Sequence, residues 1–169
     1  SFKANQLRRE LFTMTNKYFE DEAITENDLF FVCYMIERVA RKLHQHNKYV
    51  VNTIGYDELY HLLSVANVLH SSNPKQVEED WINDYMLEKG DFDITLVNRE
   101  LCDKIPTELD MGKVYSRLIV DTALPNEDYV SGIIRVYNNE ICETIDNYNG
   151  SAYYEPSYVI ARAYNEGGF

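Results

Sequence analysis

The stretch Leu29-Phe-Phe-Val-Cys-Tyr-Met-Ile-Glu-Arg-Val-Ala-Arg-Lys-Leu43 decides the fold class. Within it Leu29, Val32, Cys33, Ile36, Val39, Ala40 and Leu43 recur every three or four residues, which puts them on one face of an α-helix. Phe31, Tyr34 and Met35 widen the stripe until its first half is apolar nearly all round, the pattern of a helix at the centre of a fold. The apolar run from Leu29 to Ile36 is far shorter than the ~20 residues that span a bilayer, so no membrane segment is expected. Thr25 followed by Asp28, or Asn27 alone, can supply capping chemistry at its start. Arg38, Arg41 and Lys42 read as a solvated basic last turn that complements the helix dipole.

Helical spacing continues outward in both directions. Leu7, Leu11, Met14 and Tyr18 predict an N-terminal helix. Asn47-Lys48 opens a short segment through Val50, Val51 and Ile54 that Gly55 can stop, and Leu59, Leu62, Leu63, Ala66 and Leu69 mark the next helix. Asn73-Pro74 suits N-cap and N1, with Gln76 completing an approximate capping box, Trp81 on the buried side and Gly90 as the stop. Residues 91–108 break the rhythm, since Phe92, Ile94 and Leu96 alternate with Asp93 and Thr95. That segment is expected to be irregular or a short extended stretch, and it is the candidate subdomain boundary. Thr107 to Asp110 forms a second capping box ahead of Met111, Tyr115, Leu118 and Ile119. Helices starting near Pro125 and Pro156, with a break at Asn138-Asn139 and a stop at Gly167-Gly168, complete the chain. The expectation is an all-α, compact, bundle-like globule of eight or nine helices forming one domain over residues 1–169.

The charge restricts the partners. The 169 residues carry 16 Lys+Arg against 28 Asp+Glu, a net charge of −12. Residues 51–110 alone hold thirteen acids and four bases. Nucleic-acid binding needs a basic footprint, so a nucleic-acid partner is not expected; a basic protein partner is. Cys33, Cys102 and Cys142 are odd in number and scattered, without the spacing of a disulfide framework or a zinc knuckle. With no signal-peptide pattern in Ser1-Phe-Lys-Ala-Asn-Gln, the expected compartment is the cytoplasm.

Catalytic signatures are sparse. Glu58 and His61 share a helix face at i and i+3, the arrangement of carboxylate-bridged metal sites, but no second Glu-x-x-His exists. An ion pair with Asp57, at i−4 from His61, explains the same residues, so no metal or other cofactor is expected. Nucleotide-binding glycine loops and nucleophile elbows are absent from the sequence. The unusual feature is tyrosine, with fourteen residues, six of them in the C-terminal fifth. Tyr153, Tyr154, Tyr158 and Arg162 form a candidate contact surface, with Arg162 one turn from Tyr158 and able to stack on it. The functional expectation is a non-enzymatic interaction or regulatory module, of the kind exemplified by antitoxins and immunity factors. One alternative is an enzyme assembled around Glu58, His61 and the C-terminal tyrosines. Another is a homo-oligomeric structural component.

Overall fold

A computed structural model describes residues 13–169. Among these residues seven α-helices follow one another: α1 (Glu26–Leu43), α2 (Asn47–Leu69), α3 (Pro74–Asp84), α4 (Glu108–Asp121), α5 (Tyr129–Tyr137), α6 (Ile141–Ile145) and α7 (Ser157–Glu166). A 3₁₀ turn at Ala152–Tyr154 lies between the last two. The fold is all-α, with one or two helices fewer than the sequence pattern implies.

Helix α1 is the hub. Leu29, Val32, Cys33, Met35, Ile36 and Val39 are all fully buried, and α2, α3 and α4 pack around the helix. Helix α5 closes on α2 and α4, and α7 packs on α4. The α1–α4 crossing is close because position 112 is glycine. A Cβ there would stand 2.8 Å from both Cα and N of Tyr34. Helix α2 bends at Gly55, whose φ of 79° and ψ of 174° are open only to glycine, so the two expected segments join across a kink.

Local chemistry sets the helix starts. Thr25 and Asp28 form the capping box of α1, and Thr107 and Asp110 that of α4. Asn73 accepts from the Lys75 amide beside Pro74, whereas the Gln76 side chain turns away to donate to Asp80. Helix α5 begins later than Pro125, at Tyr129, because Asp128 caps it by accepting from the Ser131 amide.

Three expectations are corrected. Leu7 and Leu11 lie outside the described residues, but Met14 and Tyr18 are not helical. Met14 exchanges two backbone hydrogen bonds with Ile24, and the Asn16 side chain accepts from the Tyr18 and Phe19 amides in place of a helical ladder. Helix α3 stops at Asp84, short of Gly90, because Met86 takes a left-handed conformation and the Leu87 amide bonds back to Ile82. Segment 91–108 takes the irregular of its two expected forms, a strap fastened to the end of α1 by the Gly90 amide on Leu43 O (2.8 Å) and the Phe92 amide on His44 O (2.9 Å). Arg38 and Arg41 are not a solvated turn. Arg38 pairs with the buried Glu78 at 2.9 Å, and the Arg41 side chain is only 12% exposed.

Candidate functional site

Where α1 ends and α2 begins, His44 adopts a left-handed conformation and the chain reverses within three residues. His46, the N-cap of α2, makes no capping bond. Its ring lies flat on Phe92 of the strap, 3.7 Å between centroids. This stacked pair forms one lip of a cleft of about 440 Å³. The cleft's other walls are the α5–α6 joint at Asn138 to Cys142 and the segment Asp146–Asn149. A volume of this order suits a small molecule or a side chain of a partner.

A polar junction lies behind the cleft. Asn47, the first residue of α2, turns its amide inward, and Nδ2 donates to both Glu37 Oε1 and Asp146 Oδ2 at 3.0 Å. Tyr115 on α4 donates to the second oxygen of Asp146 at 2.7 Å. One turn beyond Glu37, Arg41 donates to Pro106 O (2.8 Å) and Tyr148 Oη (2.9 Å) and stands 3.7 Å from Glu108. Asn47, Asp146 and Tyr148 line the cleft, so the junction reaches solvent through them. Glu37 is 1% exposed and does not line it.

Burial dominates the electrostatics. Burial, and then the like charge of Asp146, push the Glu37 carboxyl up to about 8 against the opposing pull of Asn47 and Arg41. Asp146 rises less, to about 6, because Tyr115 and Asn47 bond to its charged form. The pair is therefore disposed to keep one proton near neutral pH, and burial favours Glu37, the more enclosed carboxyl, as its holder. Burial also lifts the Cys142 thiol, on the cleft wall, to about 12, and Cys33 likewise. Neither supplies a thiolate nucleophile near neutral pH. The Tyr137 ring stacks on Tyr115 at 4.5 Å, and its buried hydroxyl has no oxygen or nitrogen partner.

The cleft is thus equipped for binding. Asp93, Glu140, Glu143 and Asp146 outnumber Lys48 and His46 around it, and several asparagine amides add donors and acceptors. The proton on Glu37 is held out of reach behind Asn47.

The residues singled out from the sequence lie elsewhere. Glu58 is exposed and accepts from the Tyr85 hydroxyl at 3.3 Å; His61 is exposed and meets the Tyr18 ring edge-on. Among the described residues no group of three His, Cys, Asp or Glu side chains is placed to hold a metal ion. Tyr153 is half-buried, edge-on to Tyr148 and Tyr154, and Tyr153 and Tyr154 line a smaller cleft of about 220 Å³ with Lys113 and Arg117 of α4. Tyr158 and Arg162 are exposed, and Arg162 borders a different hollow. Arg135, not Arg162, is the arginine that sits over a C-terminal ring, that of Tyr164. Neither cleft joins these tyrosines to Glu58 or His61.

No sequence motif unites Glu37, Asn47, Tyr115 and Asp146. One signal was present: Glu37 is four residues after Cys33 and three before Ala40, so it falls on the apolar stripe of α1. A carboxylate in that position needs an internal partner. No family model matches the chain, nor does any curated protein or solved structure.

Proposed function

We propose that this chain is a non-enzymatic interaction module that receives a basic protein partner on its acidic flank. One observation carries the reading. Over residues 51–91, on α2, α3 and the start of the strap, seven carboxylates are exposed against two lysines, Lys75 and Lys89. The nearby arginine that could offset them, Arg38, is committed to Glu78. Tyr85 joins the two helices by donating to Glu58, and burial together with Glu58 and Asp84 pushes the pKa of its own hydroxyl above the ordinary range. A one-signed field of this kind accelerates encounter with an oppositely charged surface and fixes its orientation. Antitoxin-like occupation of a nucleic-acid-binding protein is one form that such a module takes. The absence of a thiolate in the main cleft supports binding over nucleophilic catalysis.

Capture from native lysate followed by a salt gradient tests the reading. Exposed charges are screened beyond about 10 Å at 0.1 M salt and about 3 Å at 1 M. The partner is expected to elute as salt rises, and a variant carrying Asp57→Asn, Glu58→Gln and Asp84→Asn is expected to release it at lower salt. Retention that ignores both salt and the triple substitution would refute the proposal.

A further inference from the structure

We propose that the Glu37–Asn47–Asp146 junction is a proton-operated latch, which holds α6 and the cleft wall in place while Glu37 is neutral and releases them when that proton leaves. The geometry is specific. A single amide nitrogen stands 3.0 Å from one oxygen of each carboxyl group, and those groups belong to the middle of α1 and the residue that ends α6. The arrangement tolerates one negative charge. With both groups ionised, two like charges share one donor in a water-poor site, where their repulsion is poorly screened.

One positive group faces the pair, Arg41, and it forms a hydrogen bond with neither carboxyl. From α1, Arg41 attracts both Glu37 and Asp146 but spends its hydrogen bonds on Pro106 O and Tyr148, so its single charge opposes two carboxylates only at a distance. From α4, Tyr115 donates to Asp146, while Glu108 adds repulsion at Glu37. Helix α5 brings only the neutral Tyr137 hydroxyl. Helix α6 brings the neutral thiol of Cys142, and Lys48 at the start of α2 is exposed and acts on that thiol. Tyr148, from the segment after α6, is held by Arg41.

The weakest element in contact with the pair is α6, five residues long. It cannot persist without tertiary support, because isolated helices need about 12–15 residues. Loss of the proton is therefore expected to detach Asp146 from Asn47 and loosen residues 138–149, leaving the α1–α4 seam and α7 packed. The latch operates whether or not a basic partner binds the α2–α3 flank.

Amide hydrogen exchange at pH 6.5 and pH 8.5, with intrinsic rates divided out, tests it on the intact chain. In the parent protein the protection of residues 141–146 is expected to fall about tenfold or more between the two values, while α3 and α7 keep theirs. In Glu37→Gln, which imitates the neutral acid, the fall is expected to vanish. Asp146→Asn, which removes the other charge, is expected to suppress it as well and serves if Glu37→Gln does not fold. Infrared difference spectra should show a protonated buried carboxyl at pH 6.5 whose band is mostly lost at pH 8.5. Unchanged protection in the parent, an equal fall in both variants, or a fall spread evenly over all helices would overturn the latch.

Discussion

Gly112→Ala separates two opposing effects at the α1–α4 seam. Alanine in a helix interior is favoured over glycine by up to about 1 kcal/mol. Against that, the new Cβ would sit 2.8 Å from the Cα and N of Tyr34, about 0.6 Å inside the 3.4 Å at which ordinary contact begins. The obstacle is main chain of the central helix, so no rotamer change relieves it. Helix α4 must withdraw, carrying the buried Met111, Tyr115 and Leu118 with it. Overpacking of a tight interior costs about 1–3 kcal/mol, and the main-chain obstacle places this case at the upper end. The net expectation is a loss of about 1–2 kcal/mol. For a chain of this size that lowers the melting midpoint by about 3–8 °C, read by far-UV circular dichroism. Gly132→Ala is a companion case: its Cβ would meet Cγ2 of Ile119 at 2.7 Å, a branch methyl on a buried side chain that is stiff in a helix, so a loss of about 1–2 kcal/mol is expected there too. A Gly112→Ala protein as stable as the parent would show that the crossing is looser than described and that propensity wins.

Three further outcomes are expected. Met86 is 82% exposed with a φ of 50°, so Met86→Gly removes left-handed strain without losing packing and should raise the urea midpoint by the equivalent of about 0.5–1 kcal/mol. Arg135 grips both oxygens of Glu127, at 2.7 and 2.8 Å, and also donates to Tyr164. Arg135→Met strands a nearly buried carboxylate and should cost about 2–4 kcal/mol in chemical unfolding, with Arg135→Lys restoring only part because an ammonium cannot form the two-pronged bond. Glu37 and Asp146 both bind protons more tightly when folded than their ordinary values of 4.5 and 3.8 allow. Their contribution is therefore complete at low pH and is lost as pH rises through about 6 for Asp146 and about 8 for Glu37. Denaturation series should show stability falling by about 2 kcal/mol from pH 6 to 8, since each pH unit is worth about 1.4 kcal/mol per proton, and Glu37→Gln should flatten that limb.

What the sequence discloses about this fold is mostly what is decided within a few residues. Thr25 with Asp28, Asn73 with Pro74 and Thr107 with Asp110 start helices through contacts no more than three residues apart, and each start is where its pattern puts it. Helix ends obey longer-range forces. His44 and Met86 take left-handed conformations that nothing in their side chains favours, and the end of α1 is fixed by amides from the strap more than forty positions later. Met14 and Tyr18 follow a helical period, yet Asn16 between them bonds to Ser64 O and to its own neighbouring amides. Periodicity registers apolar spacing and is blind to such competition. The tyrosines illustrate the same limit. Tyr137 and Tyr148 are buried while Tyr154 and Tyr158 are about two-thirds exposed, although all four belong to one tyrosine-rich region.

The candidate site was legible only in its first member. Glu37 betrays itself by occupying an apolar stripe, but its partners Asn47 and Asp146 are 99 positions apart and neither belongs to a motif. What unites them is the cost of burying a carboxyl group, which forces hydrogen-bonding side chains from separate helices to converge on it. That convergence has a structural use. Helix α6 is too short to hold a position through its own hydrogen bonds, and only Ile141, Cys142 and Ile145 anchor it by burial. Asp146, fixed by Tyr115 and Asn47, supplies the directional restraint that three apolar side chains cannot. The cleft wall is therefore positioned by a polar junction whose charge state changes near neutrality, whereas the α1–α4 seam is positioned by packing that pH does not touch. A protein built this way can alter its cleft while keeping its core.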